Sequence, residues 1–300
     1  MIRQLRGVFA PVVTTFHPTT GELDVAAFSA NGAAHLAAGM DGLVVTGSTG
    51  EAALLDQPER SALIDAARAV VPSDKLLFVG TGAESTRTCL AQTRDAARRG
   101  ADAVLVVAPH YYSAAMPIDA LREHYRRVAD ESPVPVVLYS IPKYMHFAIP
   151  AELVAELAMH PNVIGIKDSS GQRDLLTAYL AAQSPSFSVV TGNAQLFQHA
   201  MQSGARGGIL AGALFAGGLA IDIYRAVLAG DDSTGNAAHA RFSPLGAKIV
   251  GELGVPGVKA AMDAVGLHGG PVRSPLLPVS PAQRAAIEEL LRSAELATAV

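Results

Sequence analysis

The sequence predicts an α/β protein folded as one (β/α)8 TIM barrel with a C-terminal helical extension. Three observations lead there: eight short apolar runs, helical stretches between them, and no dinucleotide-type glycine turn. The apolar runs are Val8–Thr15, Gly42–Thr46, Leu76–Gly80, Ala103–Val107, Pro135–Tyr139, Val163–Lys167, Ser188–Thr191 and Gly207–Leu210. They are rich in β-branched residues and apolar on both sides, as parallel strands covered on both faces should be.

Between the runs lie Ala/Leu/Arg-rich stretches with helical spacing, such as Gln57–Val71, Ser85–Arg99, Pro117–Asp130 and Pro150–Ala158. Pro58, Ser85 and Pro150 stand at plausible helix starts, and Gly39 and Gly100 at plausible ends. Strand–helix units recurring every thirty residues or roughly so match the ordinary length of such a barrel. An open doubly wound sheet would carry a glycine-rich turn after its first strand, whereas this chain reads Thr14-Thr15-Phe16-His17-Pro18. The barrel accounts for residues 1–230. Residues 231–300 read as an appendage of the same domain, with helices near Ser233–Gly251, Gly257–Val265 and Pro281–Leu296 around a Gly/Pro-rich stretch at Gly266–Pro278.

Composition narrows the function classes. Half of the 300 residues are hydrophobic and 17% are charged, which describes a compact globular chain. A formal net charge of −4 provides no basic stripe, so nucleic acid and anionic membrane are poor partners. Cys89 is the single cysteine, which precludes an internal disulfide framework. The N-terminal MIRQLRGVFAPVV lacks the apolar core of a signal peptide, and no apolar run has transmembrane length. A cytoplasmic enzyme is the expectation.

In such a barrel the strand C-termini and the loops after them form the active-site face. Those points read Gly47-Ser48-Thr49-Gly50-Glu51, Gly80-Thr81-Gly82, Pro109-His110-Tyr111-Tyr112, Tyr139-Ser140-Ile141-Pro142, Lys167-Asp168-Ser169-Ser170, Thr191-Gly192-Asn193 and Leu210-Ala211-Gly212. A lysine, tyrosines and several hydroxyls thus converge on one mouth, with Leu210 as an apolar lining contact. Lysine is otherwise rare. Lys75 precedes a strand and belongs to the opposite, stabilising face; Lys248 and Lys259 fall on C-terminal helices and should be solvated.

Lys167 follows Val163-Ile164-Gly165-Ile166 and so ends a buried strand. Desolvation there favours the neutral, nucleophilic amine. A lysine neutralised by an interior carboxylate is the structural alternative. Tyr139 shifts the balance, because it ends the adjacent strand within reach of that amine. Forming and using a Schiff base requires proton movement, which a tyrosine can perform when hydroxyls such as Thr49 and Tyr112 relay the proton. The Gly47–Glu51 turn offers backbone N–H groups and two hydroxyls to a carboxylate, with Glu51 bracing the loop. His110 beside Pro109 reads as a loop-shaping residue and Cys89 as a small buried hydrophobe.

These motifs together resemble the dihydrodipicolinate synthase / N-acetylneuraminate lyase family of pyruvate-type class I aldolases. Gly47-Ser48-Thr49-Gly50-Glu51 resembles the family's G-[ST]-[TN]-G-E signature, Tyr111-Tyr112 its Y-Y pair, and Tyr139-Ser140-Ile141-Pro142 its Y-[NS]-[IV]-P segment. Gly165–Gly171 resembles the Schiff-base lysine segment, and Gly269-Gly270-Pro271-Val272-Arg273 with Pro275-Leu276-Leu277-Pro278 the tail. The agreement in order and spacing spans nearly the whole chain. The resemblance implies Lys167 as the Schiff-base lysine and Tyr139 as the catalytic tyrosine. It implies Gly47, Ser48 and Thr49 as the 2-oxo-acid carboxylate site, and Tyr112 as the end of the relay, in many members donated by a neighbouring subunit. It also implies a homotetramer built as a dimer of dimers, with no metal or organic cofactor.

The resemblance is closest to the 4-hydroxy-2-oxoglutarate aldolase-like branch, in which Ser169 would contact substrate. In true dihydrodipicolinate synthases an arginine follows the Y-N-[IV]-P segment and holds the second substrate's carboxylate. Here the matching position is Tyr144, between Lys143 and Met145-His146, and a bidentate clamp is not replaced conservatively by tyrosine. The leading expectation is a lyase that cleaves or forms a 4-hydroxy-2-oxo acid from pyruvate and an aldehyde such as glyoxylate. The alternatives are a 4-hydroxy-tetrahydrodipicolinate synthase acting on pyruvate and aspartate semialdehyde, and a catalytically silent 2-oxo-acid sensor or scaffold.

Overall fold

A computed structural model describes residues 5–297. Eight strands, β1 Gly7–Pro11, β2 Gly42–Val45, β3 Leu76–Gly80, β4 Ala103–Val107, β5 Val136–Ser140, β6 Val163–Asp168, β7 Ser188–Thr191 and β8 Gly207–Ile209, pair in chain order into a closed barrel. Every neighbouring pair is parallel, and β8 closes on β1 through Gly7↔Gly207 and Val8↔Gly208. The predicted barrel is the observed one.

Seven of the eight strands lie within a residue or so of their predicted runs. The first is shorter than predicted: beyond Pro11 the ladder ends, although Val12 N still donates to Val44 O at 3.0 Å. Proline brings no N–H to a ladder, and Thr14 and Thr15 turn their hydroxyls to Gly50 O and Asp24 O instead.

Helices α1 Val25–Ala37, α2 Gln57–Val70, α3 Thr86–Arg98, α4 Ile118–Glu131, the single turn α5 Pro142–Met145, α6 Ala151–Leu157, α7 Arg173–Leu180, α8 Phe197–Gln202 and α9 Ala213–Ala229 alternate with the strands. Local chemistry sets their ends. Asp56 caps α2 through Glu59 N while the Glu59 side chain accepts from Asp56 N, a complete capping box, and Ser85 accepts from Thr88 N at the start of α3. Gly39 and Gly100 follow their helices at φ +102° and +88°, a region that favours glycine.

The C-terminal part comprises α10 Asp232–Leu245, a π-helical stretch Gly246–Leu253, α11 Gly254–Ala264 and α12 Pro281–Ser293. Pro244 falls just before the π-helical turns and supplies no N–H to the α-helical pattern.

The barrel interior is set by side-chain parity. Phe9 of β1 and Phe78 of β3 meet edge to face at 5.2 Å although β2 lies between their strands, so both point inward. Two residues further on, Pro11 and Gly80 point inward at the mouth. Lys75 sits at the opposite end, donating to Leu36 O and Met40 O, as its place before a strand requires.

Gly42 shows how closely the strands approach at that end: a β-carbon there would lie 2.1 Å from Leu76 O. Gly42→Ala is therefore predicted to cost about 1–3 kcal/mol in denaturant unfolding, as overpacked core sites do. Substrate affinity at the distant mouth should stay unchanged in the same variant.

Candidate active site

Tyr139 and Lys167 are Cα partners in the β5–β6 ladder, so they project side by side from one face. The Lys167 amine lies 4.2 Å from the centroid of the Tyr139 ring, and both side chains are almost fully buried. A cavity of about 150 Å³ opens above them, lined among others by Pro11, Ser48, Thr49, Ser169 and Gly192. A larger cavity of about 880 Å³ adjoins it, and the two share Ser48, Tyr139, Ile141, Lys143 and Tyr144. Gly47 lines the larger one.

The loop after β2 is a tight, internally bonded turn. Gly50 N, Glu51 N and Ala52 N donate to Gly47 O, Ser48 O and Gly47 O, while Thr14 Oγ1 pins Gly50 O from outside at 2.7 Å. Thr46 and Glu51 bracket the turn in the left-handed region at φ +50° and +55°, local strain of the kind that concentrates at functional sites. Among the described residues, no hydrogen bond engages the N–H groups or hydroxyls of Ser48 and Thr49. Four donors on one turn can thus converge on an anion.

Glu51 braces this loop, as the sequence led one to expect, but the brace comes from an unexpected quarter. Lys259, predicted to be solvated, is 1% exposed and pairs with Glu51 at 2.5 Å. Helix α11 lies across the barrel top and turns its lysine inward, a contact that helical periodicity alone does not reveal. Lys248 is exposed and paired with Glu252, as expected.

One further expectation changes, at Leu210, and Tyr112 stands apart from the cavities. Leu210 is fully buried and does not line either cavity; Ile209 and Ala211 line the smaller one. Strand alternation explains this, since the side chain between two inward-facing neighbours points outward. Tyr112 is 68% exposed, packs on Tyr111, and has no place in the cavities of the single chain. Its loop is held by Glu84, which accepts from His110 N and Tyr111 N, while His110 Nδ1 meets Ala108 O. His110 is thus a loop-shaping residue.

Tyr144 and Ser169, the two residues expected to meet the second substrate, line the smaller cavity. Partial desolvation pushes the Tyr144 phenol above its ordinary pKa, with Tyr139 adding a smaller push, although the residue remains 41% exposed. Lys143 donates to Gly251 O at 2.7 Å, which ties the β5 loop to the π-helical stretch, and His146 lines neither cavity. Asp168, behind Lys167, accepts from Ser170 N and Oγ. Its carboxyl is raised by desolvation despite those bonds. Cys89 is fully buried and its thiol is pushed up to about 12 by burial, which removes it as a nucleophile. Among the described residues no cluster of three or more His, Cys, Asp or Glu could hold a metal ion.

Gly192 was not singled out by the sequence beyond its position at a strand end. A β-carbon there would lie 2.0 Å from Ser169 Oγ and 2.8 Å from Lys167 Cε, so its bareness makes room for the lysine. The C-terminal segment also supplies lining from Gly254, Val255 and Val258, which no local motif announced.

A buried lysine beside a tyrosine, under a turn of free donors at the mouth of a parallel barrel, defines a carbonyl-capturing enzyme of the aldolase class. The dihydrodipicolinate synthetase family profile matches residues 4–294, and the chain belongs to that family. A 4-hydroxy-tetrahydrodipicolinate synthase of Xanthomonas axonopodis pv. citri is 38% identical over 297 residues, covering 97% of this chain and 95% of that protein. One of Stenotrophomonas maltophilia is 35% identical over 95% of each. Among solved structures, a pyruvate complex of the Acinetobacter baumannii dihydrodipicolinate synthase superposes with a TM-score of 0.92 at 27% identity, covering 98% and 100% of the two chains. A prophage protein of the same family from E. coli K12, also with pyruvate, gives 0.92 at 26% identity over 98% and 100%. The chain is thus an enzyme of the Schiff-base pyruvate aldolase type, whose family works through a lysine and needs no metal or other cofactor. The relatives' names match the semialdehyde-condensing alternative rather than the leading expectation of a 4-hydroxy-2-oxo acid lyase.

Gly192→Ala tests the space argument. Displacing Lys167 by even part of an ångström should slow adduct formation with pyruvate about 10²-fold, the usual penalty for a misplaced reacting group. Thermal denaturation should change little, and an unaltered trapping rate would refute the crowding.

Proposed function

We propose that the chain joins pyruvate to an aldehyde through a carbon–carbon bond, or reverses that reaction, with Lys167 as the iminium-forming residue. The single observation carrying this reading is the Tyr139–Lys167 register beneath the Ser48–Thr49 turn. The turn's N–H groups and hydroxyls receive the 2-oxo-acid carboxylate. The Lys167 amine adds to the C2 carbonyl, and the carbinolamine loses water when Tyr139 supplies the proton. In the cleavage direction Tyr139, now deprotonated, takes the C4 hydroxyl proton. The C3–C4 bond breaks, its electrons flow into the iminium, and the aldehyde leaves. The resulting enamine is protonated at C3 and hydrolysed to pyruvate. Thr49 relays protons between Tyr139 and the outside. The exposure of Tyr112 supports its donation to a neighbouring subunit's site, within a homotetramer arranged as a dimer of dimers. Among the described residues no helix is long and apolar enough to cross a membrane.

Two acceptors have support. The names of the bacterial relatives favour aspartate semialdehyde, which would make the product 4-hydroxy-tetrahydrodipicolinate. The rim favours a short aldehyde such as glyoxylate, released from a 4-hydroxy-2-oxo acid. It carries the Tyr144 phenol, Ser169, Asn193 and the ammonium of Lys143, with no arginine lining the smaller cavity; Arg60 lines the larger one, where it is bonded to Ala52 O and Gly80 O. A single ammonium among neutral donors suits a compact acceptor, whereas a longer carboxylate profits from a bidentate guanidinium. We take the rim as the deciding feature.

Borohydride reduction with pyruvate should add one reduced adduct to the wild-type mass and none to Lys167→Ala. Tyr139→Phe should lose about 10²–10⁴-fold in turnover, the range for general acid–base groups. A wild-type chain that forms no adduct would instead support a silent 2-oxo-acid sensor. A second measurement ranks the acceptors: pyruvate release from 4-hydroxy-2-oxoglutarate should exceed condensation of pyruvate with aspartate semialdehyde in kcat/KM. The reverse order would return the chain to the synthase reading.

A further inference from the structure

The C-terminal segment holds more buried charge than any packing role requires. Lys259 and Glu51 have side chains 1% and 0% exposed, and their charged atoms lie 2.5 Å apart. The ammonium also donates to Pro271 O at 2.7 Å and sits 4.6 Å from the centre of the Phe16 ring. The second carboxylate oxygen of Glu51 accepts from Arg273 N at 2.8 Å. The Arg273 guanidinium covers Phe16 at 4.2 Å, reaches Leu54 O and Gly21 O, and grips Glu59 through two bonds of 2.6 Å.

The strap that carries these groups is itself fixed. Asp263 Oδ1 accepts from Gly269 N, Asn31 spans both backbone groups of His268, and a β-carbon on Gly269 would lie 1.9 Å from Lys259 O. The segment is therefore pressed against α11 and cannot slide along it. Its charges grip the donor loop at Glu51 and the segment behind it at Leu54 and Glu59.

Burying an ion pair is a poor way to gain stability, because desolvation offsets most of the attraction. A hydrophobic pair of equal volume would serve a core at least as well. What an ion pair adds is a defined geometry, and it adds it here two residues beyond Thr49, at a residue with φ +55°. We propose that Lys259 and Arg273 are positioning residues: the Lys259 ammonium and the Arg273 backbone N–H hold Glu51, the Arg273 guanidinium holds Leu54 and Glu59 behind it, and together they fix the Ser48 and Thr49 donors relative to Lys167. This rests on the reading of that turn as the 2-oxo-acid carboxylate site. Neither cation touches the substrate. Their effect falls on how well the carboxylate is received, and only secondarily on the chemistry at C2.

The test uses the full-length chain, pyruvate and borohydride, with three variants: Lys259→Met, the charge-neutral double variant Glu51→Gln/Lys259→Met, and Arg273→Met. Lys259→Met leaves Glu51 buried without its cation and should lose much of its thermal stability. The double variant should regain most of the wild-type melting temperature, yet need at least about tenfold more pyruvate for half-maximal trapping, which is the displacement cost of a donor set. Trapping at saturating pyruvate should approach the wild-type rate. Arg273→Met should show the same split more weakly, with faster amide exchange across residues 47–55.

Recovery of both melting temperature and half-saturation in the double variant would make the pair merely structural and overturn the proposal. So would unchanged half-saturation with a lowered melting temperature. Should the double variant fail to fold, Arg273→Met decides alone: unchanged exchange over 47–55 refutes the positioning role. A wild-type chain with no adduct fails at an earlier step, since it removes the carboxylate site on which the proposal stands.

Discussion

Closing eight parallel strands into one barrel obliges every second side chain of each strand to share a single interior. That parity decides which residues can meet. It brings Phe9 and Phe78 together across an intervening strand, places Pro11 and Gly80 at the mouth, and sets Tyr139 beside Lys167. Shift β6 by one residue and Asp168 would enter the site while Lys167 faced the helices. The register between β5 and β6 is thus the interaction on which the proposed chemistry depends, and the remaining ladders serve to hold it.

Much of this was legible because it is local. β-Branched runs, capping residues and the punctuation of Gly39 and Gly100 are written within a few positions of the structure they produce. The lysine and tyrosine could be found because strand ends in a barrel all face one mouth. The errors share a cause of the opposite kind. Val12–Thr15 looks like strand by composition, yet Pro11 ends the ladder and the threonines find partners in other loops. Leu210 is misplaced because strand-end parity turns on a single residue. Lys259 reads as solvated on its own helix; only the closed fold places it over Glu51, from the far end of the chain. Gly192 was visible as a strand-end residue, but the need for its missing β-carbon appears only when the Lys167 side chain is in place.

The same distinction separates the two halves of the site. The pyruvate half is built from strand ends and the turn after β2, elements fixed by the barrel itself. The half that we propose receives the acceptor is built from the β5 loop, the π-helical stretch and the start of α11, with Lys143 bonded to Gly251 O as the stitch between them. Barrel-defined positions stay in register whenever the barrel forms. Loop-defined positions are free to change partner chemistry without disturbing the fold.

This division explains why relatives 35% and 38% identical can share the lysine chemistry without fixing the second substrate. A TM-score of 0.92 to pyruvate complexes speaks to the strand framework and the half it builds. The phenol of Tyr144, its pKa raised further by partial desolvation, belongs to the other half. On the proposed reading, an acceptor carboxylate arriving there would meet hydroxyl and amide donors and the lone ammonium of Lys143 rather than a guanidinium fork, which weakens discrimination for a long acidic aldehyde more than for a short one. On this proposal, acceptor choice is a property of the β5 loop and its stitch to the C-terminal helices. Exchanging those loops between family members should move the choice of aldehyde while leaving capture of pyruvate by Lys167 in place.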